Sequence, residues 1–433
     1  MISETVSLHR DLVRRTVNCT RRLRQATYGI DDALGPPARE PFHFHAGTYG
    51  GEFPVVIFSS YRCDKYVRGL CSPCFYSGLP HSTAPRTDIY ASLPAQAEAL
   101  LGRFDEWVVA RQPGRGGKLP YVLQIAGEGS FLRNAEIPAD RRIEMLQMFA
   151  DDAWKRQISV SYNLETKAED VIAAEARGEF AKYGELGTQL NLSLAIGYES
   201  ADPFIRNVIF AKELDERHFE RAVSIALKYD LNPIAYVYAG GHGLSDSDIL
   251  ESVRLTVRRL RELGVGIYLM LPNLQPFTLP HLLWACGRYQ LPSPDTVLRI
   301  LEVMLDGAPR RSSPHAWLGH SDWMIGGITA TPDPVLTFYG SIVDASMRKQ
   351  LSIALDELQK EQDPEAFRQA VDVLGFVVST DHNGSVDNAA LSARLSNILT
   401  VAEEAVDDYI ARLSRQRQIG SAGKWSALES ARD

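Results

Sequence analysis

The sequence has no long apolar run. Its apolar stretches, such as Pro54–Ser59 and Ile267–Pro272, are far shorter than the ~20 residues that a membrane-spanning helix needs. The first residues also lack an apolar core followed by a small-residue cleavage site, so no secretory signal peptide is predicted. These absences predict a cytoplasmic protein with no membrane partner.

Basic residues are fewer than acidic residues. The chain carries 46 Lys and Arg against 54 Asp and Glu, a formal net charge of −8. Such a chain has no overall positive field to collect nucleic acid or anionic lipid, although a local basic patch is compatible with it. With 45% hydrophobic and 23% charged residues, the composition is that of a globular protein and excludes disordered and fibrous classes.

Cysteine is scarce and unevenly placed. Of five cysteines, Cys63, Cys71 and Cys74 lie within twelve residues, whereas Cys19 and Cys286 stand alone. An odd number with this clustering does not suit a disulfide framework and indicates a metal or cluster site in a reducing compartment. Cys19 and Cys286 are predicted to be buried thiols.

Short β-rich runs alternate with helices through the middle of the chain. Strands that alternate with helices and are largely apolar predict a parallel sheet covered by helices. Six such units are too few to close an eight-stranded barrel, so the sequence predicts an α/β fold, an open partial (β/α)6 TIM-like barrel. The six predicted strands are Val55–Ser59, Tyr121–Ala126, Ile158–Tyr162, Leu190–Ile196, Ile234–Tyr238 and Gly266–Leu271.

Three regions are predicted. Residues 1–50 form an N-terminal helical and loop extension, and residues 51–276 form the partial barrel. The strand rhythm then fades, so residues 277–433 are predicted to be mostly helical.

The cysteine triplet admits three interpretations. Three thiolates in one loop can bind three irons of a 4Fe-4S cluster and leave the fourth iron open to another ligand. A zinc site would need a fourth ligand, for which His81 is a candidate. Unliganded structural cysteines are the third possibility. The triplet alone leaves all three open.

The triplet and the segments after the later strands resemble the radical S-adenosylmethionine (SAM) enzymes. The resemblance covers roughly residues 50–290 and is to the branch containing the Elongator catalytic subunit and the archaeosine-synthesis lyases. It implies that Cys63, Cys71 and Cys74 hold a 4Fe-4S cluster whose open iron binds SAM. The usual spacing is three residues and then two; here it is seven and then two, with Pro73 in place of an aromatic residue.

The same resemblance implies a set of SAM-binding residues at strand ends, where α/β barrels place their ligands. The segment after the second strand is similar to the family's glycine-rich motif, which approaches the SAM amino group, and Glu165 after the third strand takes the place of the acidic residue at the ribose. The segment after the fourth strand is similar to the turn that binds ribose or methionine groups, followed by a lysine for the SAM carboxylate. The full set is Gly127, Glu128, Gly129, Ser130, Glu165, Gly197, Glu199 and Lys212. Taken alone, each could be a solvated or packing residue.

No catalytic residue is assigned from the sequence. Tyr236, Tyr238 and Tyr268 fall on the last two predicted strands, where they would either face the cavity or pack. His242 lies in a loop beside them. Residues 269–278 are expected to contact the adenine.

The resemblance implies an enzyme that cleaves SAM reductively, with an external one-electron donor such as flavodoxin or ferredoxin. A small-molecule substrate in a biosynthetic pathway is the leading hypothesis. A tRNA- or RNA-modifying member is the alternative, against which the acidic charge stands. A non-catalytic zinc or Fe-S scaffold, and an enzyme that breaks a different C–S bond to transfer the aminocarboxypropyl group, are also open.

Overall fold

A computed structural model describes residues 2–26, 42–46, 54–58, 63–74, 86–111, 121–127, 129–156, 160–272, 274, 277–305, 316–319 and 386–419. The strands are β1 Phe42–Ala46, β2 Pro54–Phe58, β3 Tyr121–Ala126, β4 Val160–Thr166, β5 Leu192–Glu199, β6 Asn232–Tyr238, β7 Gly266–Met270 and β8 Ala316–Gly319. The helices are α1 Ile2–Gln25, α2 Asp64–Val67, α3 Arg86–Arg111, α4 Ala139–Arg156, α5 Ala168–Ala176, α6 Phe180–Leu190, α7 Glu216–Lys228, α8 Asp246–Glu262, α9 Leu279–Ala285, α10 Pro294–Leu305 and α11 Asn388–Ile419. A π-helical turn spans Ile205–Ile209.

The eight strands form one sheet in chain order, and the α/β class is confirmed. Strands β2 to β8 pair in parallel, and β1 pairs with β2 in antiparallel orientation. Among the described residues β1 and β8 are the two edges, so the sheet is open, as predicted. The six predicted strands correspond to β2 to β7, with shifted bounds.

Two strands of the structure, β1 and β8, were not predicted from the sequence. β1 lies in the segment predicted as helix and loop, and β8 lies in the region predicted as mostly helical. β1 has the alternating sequence FHFHA but lies inside a segment broken by glycine and proline, and β8 is only four residues long. The sheet thus continues on both sides of residues 51–276, and the limits of the three regions stay a prediction.

Helix α8 begins where its sequence predicts. The Ser245 hydroxyl accepts from the Asp248 backbone N–H at 3.3 Å, and the Asp248 carboxylate accepts from the Ser245 N–H at 2.9 Å. This capping box provides acceptors for two backbone N–H groups that have no partner within the helix.

The two faces of the sheet differ in polarity. On β4, Tyr162 and Leu164 belong to the main hydrophobic core under the helices. Because successive side chains of a strand point to opposite faces, Asn163 and Glu165 lie on the inner face. Tyr236 of β6 shares that face, since its hydroxyl donates to Glu165 at 3.5 Å. The inner face is therefore polar and its carboxyl end is available for ligands.

A second hydrophobic core joins the two ends of the chain. Leu12 and Leu23 of α1 pack with Leu395 and Val406 of α11. Arg15 of α1 adds hydrogen bonds to Glu403 of α11, at 2.9 and 2.8 Å. Helix α1 is thereby fixed beside the sheet, with its last turn near the cysteine loop. None of the helices in the described ranges is long and apolar enough to cross a membrane.

Two buried histidines predict a pH dependence of stability. Burial lowers the pKa of His242 and of His281 to about 4, so both are neutral in the folded chain. An unfolded chain titrates them near pH 6.5 and binds more protons than the folded chain between about pH 6.5 and 4. Their stabilisation is therefore complete above about pH 6.5 and falls as the pH drops, by about 3 kcal/mol per histidine at pH 4.

The substitution His242→Leu tests this directly. Neither ring nitrogen of His242 has a hydrogen-bond partner within the described parts of the chain, so the change removes one titration and no bond. Urea denaturation at pH 7 and pH 4.5 should show a smaller loss of stability for the variant than for the wild type. Equal losses would contradict the expectation.

Candidate metal and cofactor site

The cysteine loop, residues 63–74, follows β2 at the carboxyl end of the sheet. Cys63 precedes helix α2, and Cys71 adopts a left-handed backbone conformation with φ of 55°. The backbone N–H groups of Cys71 and Ser72 donate to the carbonyls of Ala211 and Phe210, at 3.2 and 2.9 Å. These bonds attach the loop to the segment that follows β5, so the cysteines lie beside the predicted SAM-binding turn.

A buried arginine of α1 holds the same loop from the other side. The guanidinium of Arg24 donates to the carbonyls of Tyr66 and Leu70 at 3.0 and 2.6 Å, and to those of Cys71 and Cys74 at 2.7 Å each. It also lies 4.1 Å from the centre of the Tyr66 ring. One cation therefore neutralises four carbonyl dipoles and fixes the path of the chain through two of the three cysteines.

The Cys63 thiol lies in a cluster of charged side chains. The ammonium of Lys167 is 3.3 Å from Cys63 Sγ, 3.0 Å from Asp64 Oδ1 and 3.7 Å from Glu136 Oε1. Cys63, Asp64 and Glu136 place their ligand atoms within 4.8 Å of one another. Because the ammonium of Lys167 lies within 3.7 Å of all three side chains, it takes the place that a metal ion would have in this group.

The glycine-rich segment after β3 packs directly against Cys63. A Cβ at Gly129 would lie 2.6 Å from Cys63 Cβ, 2.7 Å from Cys63 Sγ and 2.7 Å from Glu136 Oε1, so only glycine fits. The Ser130 N–H donates to Glu136 at 2.7 Å, and its hydroxyl bonds that of Thr166 at 3.0 Å. The segment therefore forms a wall of the Cys63 site.

A second lysine lies on the side of Cys71 and Cys74. Lys212 Nζ is 2.6 Å from Glu199 Oε1, and a Cβ at Gly197 would lie 2.5 Å from Lys212 Nζ. Burial opposes the charge of Lys212, but Glu199, Cys71 and Cys74 outweigh it and raise the pKa of the lysine above its usual value. Lys212 is therefore a permanent cation at the edge of the cysteine loop.

Burial also changes the acidity of two groups around Cys63. It raises the pKa of the Cys63 thiol, with Lys167 opposing the shift. It raises the pKa of Glu136 to about 7, against the effects of Lys167 and of the Ser130 N–H. Burial alone would lower the pKa of Lys167, but Cys63, Glu136 and Asp64 raise it.

The donor set fits an iron–sulfur cluster. All three cysteines are free thiols, and each is partly accessible. A single zinc ion, with Zn–S bonds near 2.3 Å, would draw its sulfurs to about 3.8 Å of one another. In the described chain the three sulfurs do not form such a compact group. A four-iron cluster binds each thiolate through a different iron and suits wider spacing. His81, the candidate fourth zinc ligand, lies outside the described residues.

Most of the predicted cofactor residues lie around this loop. Gly129 and Ser130 flank Cys63, and Glu199 pairs with Lys212 beside Gly197. Glu165 lies on the inner face of the sheet, and Gly127 is buried at the end of β3. Glu128 lies outside the described residues. Their roles toward SAM stay predictions.

Four residues that build the site were not predicted from the sequence: Arg24, Asp64, Glu136 and Lys167. Asp64 and Lys167 had a detectable signal, since one follows Cys63 and the other is two residues beyond Glu165 at the same strand end. Arg24 had none, because its contacts reach 42 to 50 residues along the chain.

No protein-family model and no curated protein matches the sequence. Among solved structures, the chain is similar to an archaeal Elp3 from Methanocaldococcus infernus with residues 1–46 deleted, at 12% identity and a TM-score of 0.41 over 68% of this chain. It is also similar to the radical S-adenosylmethionine methyltransferase TsrM from Kitasatospora setae. The structure with tryptophan and aza-SAM gives 12% identity and a TM-score of 0.33 over 55% of this chain. The structure with cobalamin and a [4Fe-4S] cluster gives 10% identity and a TM-score of 0.36 over 74% of this chain. The chain spans 62%, 40% and 61% of these three structures.

Proposed function

We propose that this chain is a radical SAM enzyme, with Cys63, Cys71 and Cys74 as the ligands of a 4Fe-4S cluster. One observation carries the proposal: the loops after β2, β3, β4 and β5 converge on three half-buried cysteines. The inner wall of that site carries a glycine with no room for a side chain, and a lysine stands on each side of the thiols.

Different residues around the cysteine loop bind different groups of SAM. Lys212 pairs with the carboxylate of SAM, because it carries a permanent positive charge and lies beside Cys71 and Cys74. Glu199, now the partner of Lys212 at 2.6 Å, accepts from the SAM amino group. Glu165, which already accepts from the Tyr236 hydroxyl, accepts from the ribose. When bound, the cluster and SAM supply reductive cleavage of a sulfonium C–S bond, which gives a 5′-deoxyadenosyl radical.

The side chains of the inner face favour a small-molecule substrate. The inner face beyond Glu165 carries Tyr236 and Tyr268, whose ring centres are 5.0 Å apart in an edge-to-face arrangement. A polar, aromatic wall suits an organic substrate with hydrogen-bonding groups, and the net charge of −8 opposes a nucleic acid. We propose a small-molecule substrate of a biosynthetic reaction, an external one-electron donor such as flavodoxin or ferredoxin, and a cytoplasmic location.

Anaerobic reconstitution with iron and sulfide tests the proposed function. We expect four irons per chain, a reduced-state electron paramagnetic resonance signal that SAM perturbs, and release of 5′-deoxyadenosine on reduction. Methylthioadenosine instead would identify the aminocarboxypropyl-transferring variant. One tightly held zinc and no cluster would contradict the proposal and support a scaffold.

The substitution Gly197→Ala should separate SAM binding from folding. Its Cβ would lie 2.5 Å from Lys212 Nζ and 3.3 Å from Glu199 Oε1, so it pushes the ammonium away from its carboxylate. We expect SAM to bind at least about tenfold more weakly, which is about 1.4 kcal/mol. The thermal midpoint should change little, because the end of a lysine side chain can move. Equilibrium dialysis of SAM against the reconstituted protein measures this.

Gly102→Ala is the matched control for that substitution. Gly102 lies in α3 with no atom within 4 Å of the added Cβ. The control should bind SAM as the wild type does. If Gly197→Ala also binds SAM normally, Lys212 and Glu199 are not SAM ligands.

A further inference from the structure

The end of β4 places one ammonium against one cysteine of the triplet. Lys167 follows Thr166, the last residue of β4, and its Nζ lies 3.3 Å from Cys63 Sγ, within hydrogen-bond range for sulfur. Only 10% of its side chain is exposed, so this cation is poorly screened by water.

The position of Lys167 is held from several directions. Asp64 accepts from its ammonium at 3.0 Å, and Glu136 lies 3.7 Å away with its side chain fully buried. The Lys167 backbone N–H donates to the Ser130 hydroxyl at 3.4 Å. Because Gly129 leaves no room between Glu136 and Cys63, the ammonium, the two carboxylates and the sulfur form one compact group.

We propose that Lys167 tunes the electron affinity of the cluster by donating a hydrogen bond to the sulfur of Cys63. This inference rests on the proposed function. On one-electron reduction a cluster gains one negative charge, part of which resides on its thiolate ligands. A nearby N–H donor and positive charge stabilise the reduced state, because hydrogen bonds to the sulfurs and net local charge set the reduction potential. Lys167 acts through Cys63 and is a positioning and tuning residue.

The experiment is an anaerobic redox titration of reconstituted protein, with dithionite as the electron donor and the reduced-state paramagnetic signal as the readout. Lys167→Met removes both the charge and the donor. We expect the equilibrium between oxidised and reduced cluster to shift at least about tenfold toward the oxidised form, which is 59 mV for one electron. Lys167→Arg keeps the charge and donors and should stay near the wild-type potential.

Lys228→Met is the matched control. Lys228 lies on α7 with 60% of its side chain exposed, and it pairs with Glu175 on the outer surface. The same loss of one charge there should leave the potential unchanged, because solvent screens an exposed charge.

Every outcome bears on the inference. A lower potential in the cluster that Lys167→Met retains, with Lys167→Arg near the wild-type value, supports it. Full iron content with an unchanged potential in Lys167→Met overturns it, as does an equal loss of iron in the Met and Arg variants, which would show that shape and not charge matters. A wild-type protein that binds no iron would defeat the proposed function itself, a result distinct from any of these.

Discussion

Gly129→Ala should leave the protein unable to hold its cluster, with as little iron as Cys63→Ala. The added Cβ would lie 2.6 Å from Cys63 Cβ, 2.7 Å from Cys63 Sγ and 2.7 Å from Glu136 Oε1. Cys63 Cβ is bonded to the backbone and cannot move aside as the end of a long side chain can, so the ligand must be displaced. Overpacking of this kind costs about 1–3 kcal/mol, and the apo protein should lose stability by that amount.

Iron and sulfide analysis after reconstitution, with urea denaturation of the apo protein, measures both effects. Gly102→Ala again serves as the control, because it makes the same chemical change in open space inside a helix. There alanine should be neutral or stabilising by up to about 1 kcal/mol. Wild-type iron content in Gly129→Ala would show that this glycine does not pack on a cluster ligand.

Arg24→Met should be the most destabilising single change near the site. It removes the guanidinium donors of four carbonyls, those of Tyr66, Leu70, Cys71 and Cys74. A buried polar group left without a partner costs about 1–3 kcal/mol. The carbonyls of Tyr66 and Cys71 keep the backbone N–H groups of Gly69 and Cys74 as donors, so we expect a loss of at least about 2 kcal/mol of unfolding free energy. Amide hydrogen exchange in residues 66–74 should speed up, because the loop loses its anchor to α1.

The neighbouring Arg22→Met provides the comparison for Arg24→Met. Arg22 has 39% of its side chain exposed and pairs with Asp407, which is 78% exposed. A surface ion pair of this kind is worth about 0–1 kcal/mol. Equal losses of stability in the two variants would mean that Arg24 is not the clamp of the cysteine loop. Arg24→Lys should recover part of the stability, since it keeps the charge with fewer donors.

The parts of the fold that follow a local pattern could be predicted from the sequence. The strands β2 to β7 alternate with helices at regular intervals, and the Ser245 to Asp248 capping box marks the start of α8. β8 could not be predicted, because a strand of four residues gains its stability from pairing with a neighbour distant in the chain, and β1 was obscured by the glycine and proline residues on both sides of it.

In the candidate site, too, residues in local motifs could be predicted and residues that act through distant contacts could not. The three cysteines and the strand-end glycines are visible as motifs, because the chemistry depends on residue type and spacing. Arg24 acts through contacts that span 42 to 50 residues, so no local pattern marks it, and Lys167 is marked only by its place two residues beyond Glu165 at the end of β4. The structure adds what the motif lacks, namely which side chains surround each cysteine.

The iron content of single cysteine variants tests the central claim most directly. The claim is that Cys63, Cys71 and Cys74 share one metal cluster, whereas Cys19 is a buried thiol in the second core. After identical anaerobic reconstitution, alanine at any of the three should reduce bound iron to a small fraction of the wild-type amount and abolish SAM cleavage. Cys19→Ala and Cys286→Ala should keep the wild-type iron. Full iron content in any one of the three variants, or none in the wild type, would contradict the account.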